Sequence, residues 1–278
     1  MRNIKYHFGR INILAERENK EEFLWSSLIP EKEIKRHGFC WNFFEIERED
    51  SGLGLFYYGY LVKFKKISEE EIAVPERHKL TLEEIKNRTV AKSPFFIHVH
   101  SGLIAYHPVS NHIENSQFCN IFKKIFEDAN LGFFVNIEIQ PVTESYEFFE
   151  AIKRFSLIKK VAIYLHPANP NISDTWKRTH ERLTELNADS FHEEYKSSLD
   201  DGGLKIVEDT EITSKIRMAE DGYGHVDATG YIDGEPTKVS TIDKQHISYI
   251  DTRLEPIEVL SFLIEKFQIL IAKFKDEA

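Results

Sequence analysis

Apolar residues recur along the chain in two rhythms, and the switches between them predict the elements. Near the start, Tyr6-His7-Phe8-Gly9-Arg10-Ile11-Asn12-Ile13-Leu14 alternates with period two, as a strand does, and Lys20 to Leu28 takes helical spacing before Pro30 ends it. Phe39 to Glu47 and Leu55 to Phe64 are aromatic and β-branched runs around the polar stretch Arg48 to Gly54, so an antiparallel hairpin is expected. Ile67 to Val90 is densely charged and contains Pro75, which reads as a variable excursion or linker. A boundary near residue 90 would divide the chain into an N-terminal α+β region, 1–90, and a C-terminal α+β region, 91–278, unless the two interlock as one domain.

Two short strands are expected at Phe95 to His100 and Gly102 to Tyr106, then a helix from Asn115 to Asn130 with Phe118, Ile121, Phe122, Ile125 and Phe126 on one face. A strand over Phe133 to Gln140, a helix over Thr143 to Phe155 and a strand over Lys160 to Leu165 follow, a βαβ-like succession. Beyond the turn His166 to Pro170, Ser173 or Asp174 is placed to cap a long polar helix reaching Leu199, stopped by Asp201-Gly202-Gly203. His225 to Ile232 and Thr237 to Thr241 flank Asp233-Gly234, the clearest hairpin signal in the chain. From Pro256 onward, Ile257, Leu260, Ile264, Phe267, Leu270, Ile271 and Phe274 form the apolar stripe of a long amphipathic C-terminal helix. The whole predicts an α+β fold of mixed, largely antiparallel sheets with packed helices.

The 278 residues suffice for a substantial core, and 41% hydrophobic with 29% charged residues is an ordinary globular balance. No run approaches the roughly 18 apolar residues of a membrane-spanning helix, and no secretory leader is visible, so no membrane insertion and a cytoplasmic location are expected. Two cysteines, Cys40 and Cys119, are too few for a disulfide framework; both read as core thiols.

The net charge of -10 is unevenly spread. Between Glu150 and Arg182 seven basic residues face three acids, a local +4, whereas Leu183 to Glu235 carries four basic residues against fourteen acids. Within the basic block, Lys153, Arg154, Lys159, Lys160, Lys177, Arg178 and Arg182 could grip phosphates, with Trp176 as a stacking surface for a base or sugar. The bland alternative is a set of solvated helix faces. Two other groups invite chemistry. His98, His100, His107 and His112 lie close in sequence, with Glu114 the only nearby acid, but lack any established metal-ligand spacing; partly exposed strand and loop histidines are the plainer reading. Glu138 and Gln140 share a strand face in a pattern that resembles the ExK strand of metal-dependent nucleases, with Gln in place of the lysine and with Glu114 or Asp128 needed as a second acid. No nucleotide-binding or nucleophile-elbow motif occurs, so no cofactor, metal or catalytic residue is assigned.

Four segments, Phe8 to Ile13, Gly59 to Phe64, Lys160 to Pro170 with the helix after it, and Gly222-Tyr223-Gly224-His225 to Tyr231, together resemble an uncharacterised bacterial domain-of-unknown-function family met among anti-phage defence genes. More remotely, length and layout are similar to the A protein of the lambda Rex exclusion system and the B protein of the Kiwa defence system. The resemblance implies phage exclusion by DNA binding without catalysis, in a homo-oligomer, with a defence-operon partner as a further expectation. The alternatives are a metal-dependent nuclease effector and a protein-interaction module using the acidic Leu183 to Glu235 region.

Overall fold

A computed structural model describes residues 3–14, 20–130, 136–143, 146–167, 176–198, 202–207, 209–251 and 255–273. In chain order the elements are β1 (Asn3–Leu14), α1 (Lys20–Leu28), β2 (Ile34–Arg36), β3 (Phe39–Ser51), β4 (Gly54–Val74), β5 (Lys79–His98), β6 (Leu103–Tyr106), α2 (Asn115–Ala129), β7 (Asn136–Pro141), α3 (Glu147–Ile152) and β8 (Leu157–Leu165). They continue with α4 (Lys177–Glu185), β9 (Phe191–Lys196), α5 (Thr210–Met218), β10 (Gly224–Ile232), β11 (Glu235–Ser240), β12 (Ile247–Asp251) and α6 (Pro256–Lys273). The fold is α+β, with two antiparallel sheets.

The first sheet runs β12-β1-β6-β5-β4-β3-β2. β7 and β12 lie end to end along one edge of β1, since β12 takes Asn3 to His7 and β7 takes Gly9 to Leu14 while β6 occupies the opposite edge. Alternation along β5 shows why this sheet is covered twice. Phe95 and Ile97 pack with Phe118, Ile121, Phe122 and Ile125 of α2, whereas Phe96 belongs with Leu260, Leu263 and Phe267 of α6 on the other face. α6 is the expected amphipathic C-terminal helix, although Ile257 at its start is exposed.

The second sheet, β11-β10-β8-β9, buries one face against α3, α5, Trp176 and Leu183. The Asp233-Gly234 hairpin forms as expected, both residues taking the positive φ that a type I′ turn requires.

Four expectations are corrected. The charged stretch 67–90 is not a linker; β4 and β5 continue as a two-stranded ribbon to the turn at Pro75–Arg77, and position 90 falls inside β5. Strands from both sides of that position share the first sheet. β7 and β8 belong to different sheets, so they make no βαβ unit, and α3 is a shorter helix than expected. The polar helix stops at Glu185; Asn187 turns to φ 48° and β9 follows, with Phe191 and Tyr195 directed to the core side. Ser173, Asp174, Asp201 and Phe133 to Val135 lie outside the described residues.

The sheets meet at the turn Ala219–Tyr223 between α5 and β10. Asp221 is fully buried there; its carboxylate accepts from Trp176 Nε1 at 2.9 Å and faces Lys273 Nζ at 3.1 Å. Arg10 of β1 donates to Asp221 O at 2.7 Å and to Ser101 O at 2.6 Å, while Asn12 donates to Gly222 O at 2.8 Å. Gly222 sits at φ 86°, and a Cβ there would lie 2.7 Å from both Arg10 Cβ and Val142 Cγ2. Burial is the main influence on the Asp221 carboxyl and raises its pKa, with Lys273, Trp176 and Arg10 opposing it.

Removing one member of a buried pair strands the other's charge. Lys273→Met is expected to cost about 3 kcal/mol in urea unfolding, and Lys273→Met with Asp221→Asn less than the two single losses added.

Candidate functional site

β7, at the edge of the first sheet, carries Glu138 toward the end of β8 in the second sheet. Glu138 Oε2 meets His166 Nε2 at 3.0 Å and Gln140 Nε2 at 2.9 Å, and Oε1 meets Lys123 Nζ at 3.4 Å. His166 Nδ1 lies 3.2 Å from Asp189 O. A carbonyl only accepts, so Nδ1 carries a hydrogen, and the carboxylate requires a second one on Nε2. His166 is therefore an imidazolium in this arrangement. Burial lowers its pKa, but the bonds to Glu138 and Asp189 outweigh burial and raise it. The same bond to His166, working against burial and aided by Lys123 and Gln140, holds the Glu138 carboxyl down at about 2.

Glu138 was the acid of the nuclease reading, and both of its oxygens are committed to neighbouring donors. Its group is an ion-paired strut between sheets, with Gln140 serving as a donor to the carboxylate. His166, the partner that matters, stood in a turn sequence whose two prolines concealed it.

Beside the strut, three cross-strand neighbours form a row on the face of the second sheet opposite α3 and α5. Tyr164 stacks on His192 with centroids 4.2 Å apart at 7° and on His225 at 4.5 Å and 14°. His225, pushed down mainly by burial, is neutral at pH 7. Lys160, Glu194 and Lys196 continue this face, and Glu194 bridges both lysines.

The histidines singled out from sequence do not converge. His98 is buried; it donates from Nε2 to Leu53 O at 3.1 Å and its Nδ1 meets Ser101 Oγ at 2.7 Å, so both nitrogens are used. His107 contacts Lys5 O, His100 and His112 are exposed, and no group of three or more His, Cys, Asp or Glu among the described residues is arranged to hold a metal ion. Cys119 is a core thiol as expected, its pKa raised by burial to about 11.

The basic block is divided. Lys153 and Arg154 follow α3, and Lys159 and Lys160 open β8; Lys177, Arg178 and Arg182 lie on α4, which leaves β8 after Leu165 and returns at Phe191, the partner of Leu165. The two subgroups are thus tethered to opposite ends of a strand roughly 27 Å long. Lys153 pairs with Glu150, Lys160 with Glu194 and Arg182 with Glu185, and Lys159 lies over the Tyr231 ring. Arg154, Lys177 and Arg178 are exposed and pair with none of the described acids. Trp176 is corrected outright. It is 1% exposed, holds Asp221 and packs on Tyr223, so it offers no stacking surface.

The sequence pattern of one protein family matches residues 4–264, and that family is described as a domain of unknown function (DUF4747). No curated protein matches the chain. Among the described residues no helix is long and apolar enough to cross a membrane.

The strut should impose a pH window on stability. The depressed Glu138 contributes above its ordinary pKa near 4.5 and loses this as pH falls toward 2; the raised His166 contributes below 6.5 and loses it as pH rises through its elevated value. Glu138→Gln is expected to lower unfolding stability by about 2 kcal/mol near pH 6 and far less near pH 9, measured by urea titration at both.

Proposed function

The chain belongs to the DUF4747 family, whose description assigns no activity, and from that premise we propose that it is a non-enzymatic nucleic-acid-binding protein, with DNA as ligand, acting in bacterial phage exclusion. The observation that supports this reading is the face of the second sheet where the His192–Tyr164–His225 row stands among Lys160, Lys196 and Lys238, which pair with Glu194 and Asp227. Among the described residues, helices pack on the opposite face.

Exposed Arg154 lies near the start of β8, whereas Lys177 and Arg178 belong to α4, which packs on the helix-covered side of the sheet. A backbone crossing the row face would meet phosphate partners at Lys160, Lys196 and Lys238. Tyr164 has both ring faces covered, so stacking falls to the outer face of exposed His192, and the Tyr164 hydroxyl serves as a hydrogen-bonding edge. Phosphates would compete with Glu194 for Lys160 and Lys196, which favours sequence-independent, salt-sensitive binding. A cytoplasmic homo-oligomer would repeat this modest patch and gain avidity. In this reading a defence-operon partner supplies the effector chemistry, because the committed oxygens of Glu138 do not favour a nuclease centre.

Purified protein titrated against labelled single- and double-stranded DNA should retain it intact, with affinity falling on the order of fifty-fold for single strands and roughly 150-fold for duplex between ~50 and ~200 mM salt for about four phosphate contacts. Lys160→Glu with Lys196→Glu should weaken retention at least about tenfold. Unchanged affinity in that double variant would move the site elsewhere, and divalent-metal-dependent cleavage on a denaturing gel would replace the binding reading with the nuclease one.

A further inference from the structure

Where α6 begins, a cavity of about 280 Å³ opens on the first sheet, walled by Tyr6, Tyr58, Tyr60 and Phe96, with Glu45 and Glu47 at its side. We propose that this cavity is a binding site for an organic cation, an alkylammonium or guanidinium group held against tyrosine faces by two carboxylates.

The local fold builds it deliberately. The register between β3 and β4 slips between Phe44 and Glu47, so two residues of β3 stand opposite Gly59. Glu45 takes φ 53° in this bulge, and both Glu45 and Glu47 line the cavity. Only glycine fits at position 59, because a Cβ there would lie 2.5 Å from Ile46 Cδ1 and 2.9 Å from the carbonyls of Phe44 and Glu45. Tyr58 donates to Glu47 Oε2 at 2.5 Å and stacks on Phe96, which fixes one wall.

The field inside is negative. Burial chiefly raises the Tyr60 pKa, and Glu45, Glu255 and Glu47 raise it further. His107, the other titratable group in the wall, is lowered by burial and contributes no charge at neutral pH. The remaining cation is the chain's own Lys92, whose Nζ lies 4.3 Å from the Tyr60 centroid and pairs with none of the described acids. It displays the preference of the wall for a cation over a ring face. Lys92 is exposed, so an incoming cation can displace it.

A second groove of about 730 Å³ shares Glu45, Tyr60 and Lys92 with the cavity and continues over Phe44, Val62 and Phe64. The cation can therefore be a free amine or the end of a Lys or Arg side chain whose backbone lies in the groove.

Calorimetric titration of the full chain distinguishes these sources with n-butylammonium, n-butylguanidinium and a short capped Gly-Lys-Gly peptide as probes. Saturable binding of the small cations assigns the head group alone, and binding of the peptide only assigns a chain-borne side chain. Glu45→Gln with Glu47→Gln should weaken binding about tenfold or more, while Lys92→Met, which removes the internal competitor, should tighten it roughly threefold. Both acids are exposed, and an unchanged melting temperature separates lost binding from lost fold. Equal binding of neutral butanol, unaltered affinity in the double glutamine variant, or no binding of any probe to the Lys92→Met protein would overturn the proposal.

Discussion

A single buried carboxylate sets the relation between the two halves of this protein. Asp221 has no access to water, and a lone charge in such a place would neutralise itself or unfold the chain. Three distant segments converge on its turn to oppose that neutralisation: β1 through Arg10, the residue ahead of α4 through Trp176, and the end of α6 through Lys273. Its neighbour Glu220 shows the alternative. With one oxygen engaged by Phe148 N and the other without a hydrogen-bond partner, it is driven by burial to a pKa of about 7 and takes up its proton near neutrality. Burial pushes up both adjacent acids of this turn and Lys273 opposes that push at each, but only Asp221 is also opposed by Trp176 and Arg10.

Much of the fold was legible because it obeys simple periods. Helix α1 falls where Lys20 to Leu28 places it, α2 follows Phe118, Ile121, Phe122 and Ile125, and the Asp233-Gly234 turn needed nothing beyond local backbone preference. The β-ribbon was hidden because water reaches both of its faces, so that no alternation of apolar and polar residues marks it; Glu69 faces Glu84 and Glu70 faces Glu83 across the strands. Trp176 was misjudged for a related reason. It is followed by Lys177 and Arg178 in an otherwise polar helix, and its burial is decided by Asp221, which lies far from it in sequence. No local signal records such a pairing. The Glu138–His166 strut was half visible, since the acid sits in a plain strand and its partner belongs to another sheet.

The surfaces with chemistry to offer are those where coverage by helices stops. The first sheet is covered on both faces where α2 and α6 pack, and near the start of α6 the bulge opposite Gly59 leaves aromatic walls and two carboxylates. Among the described residues helices pack on one face of the second sheet, and its other face holds the ring row and the lysines. One opening is acidic and small, the other extended and lysine-bearing. They suit ligands of opposite charge and do not compete for the same residues.

The placement of β1 has a consequence for how the molecule is made. During synthesis β1 waits for β12, formed by residues 247–251, to complete the edge that it shares with β7, and Arg10 acquires its partner at Asp221 only after some two hundred residues have followed. Until then an apolar strand edge is open on the growing chain, a template for pairing with any other nascent copy. This sheet cannot close before residues 247–251 are made, and its yield is set by how fast the late segments arrive relative to encounters between unfinished chains.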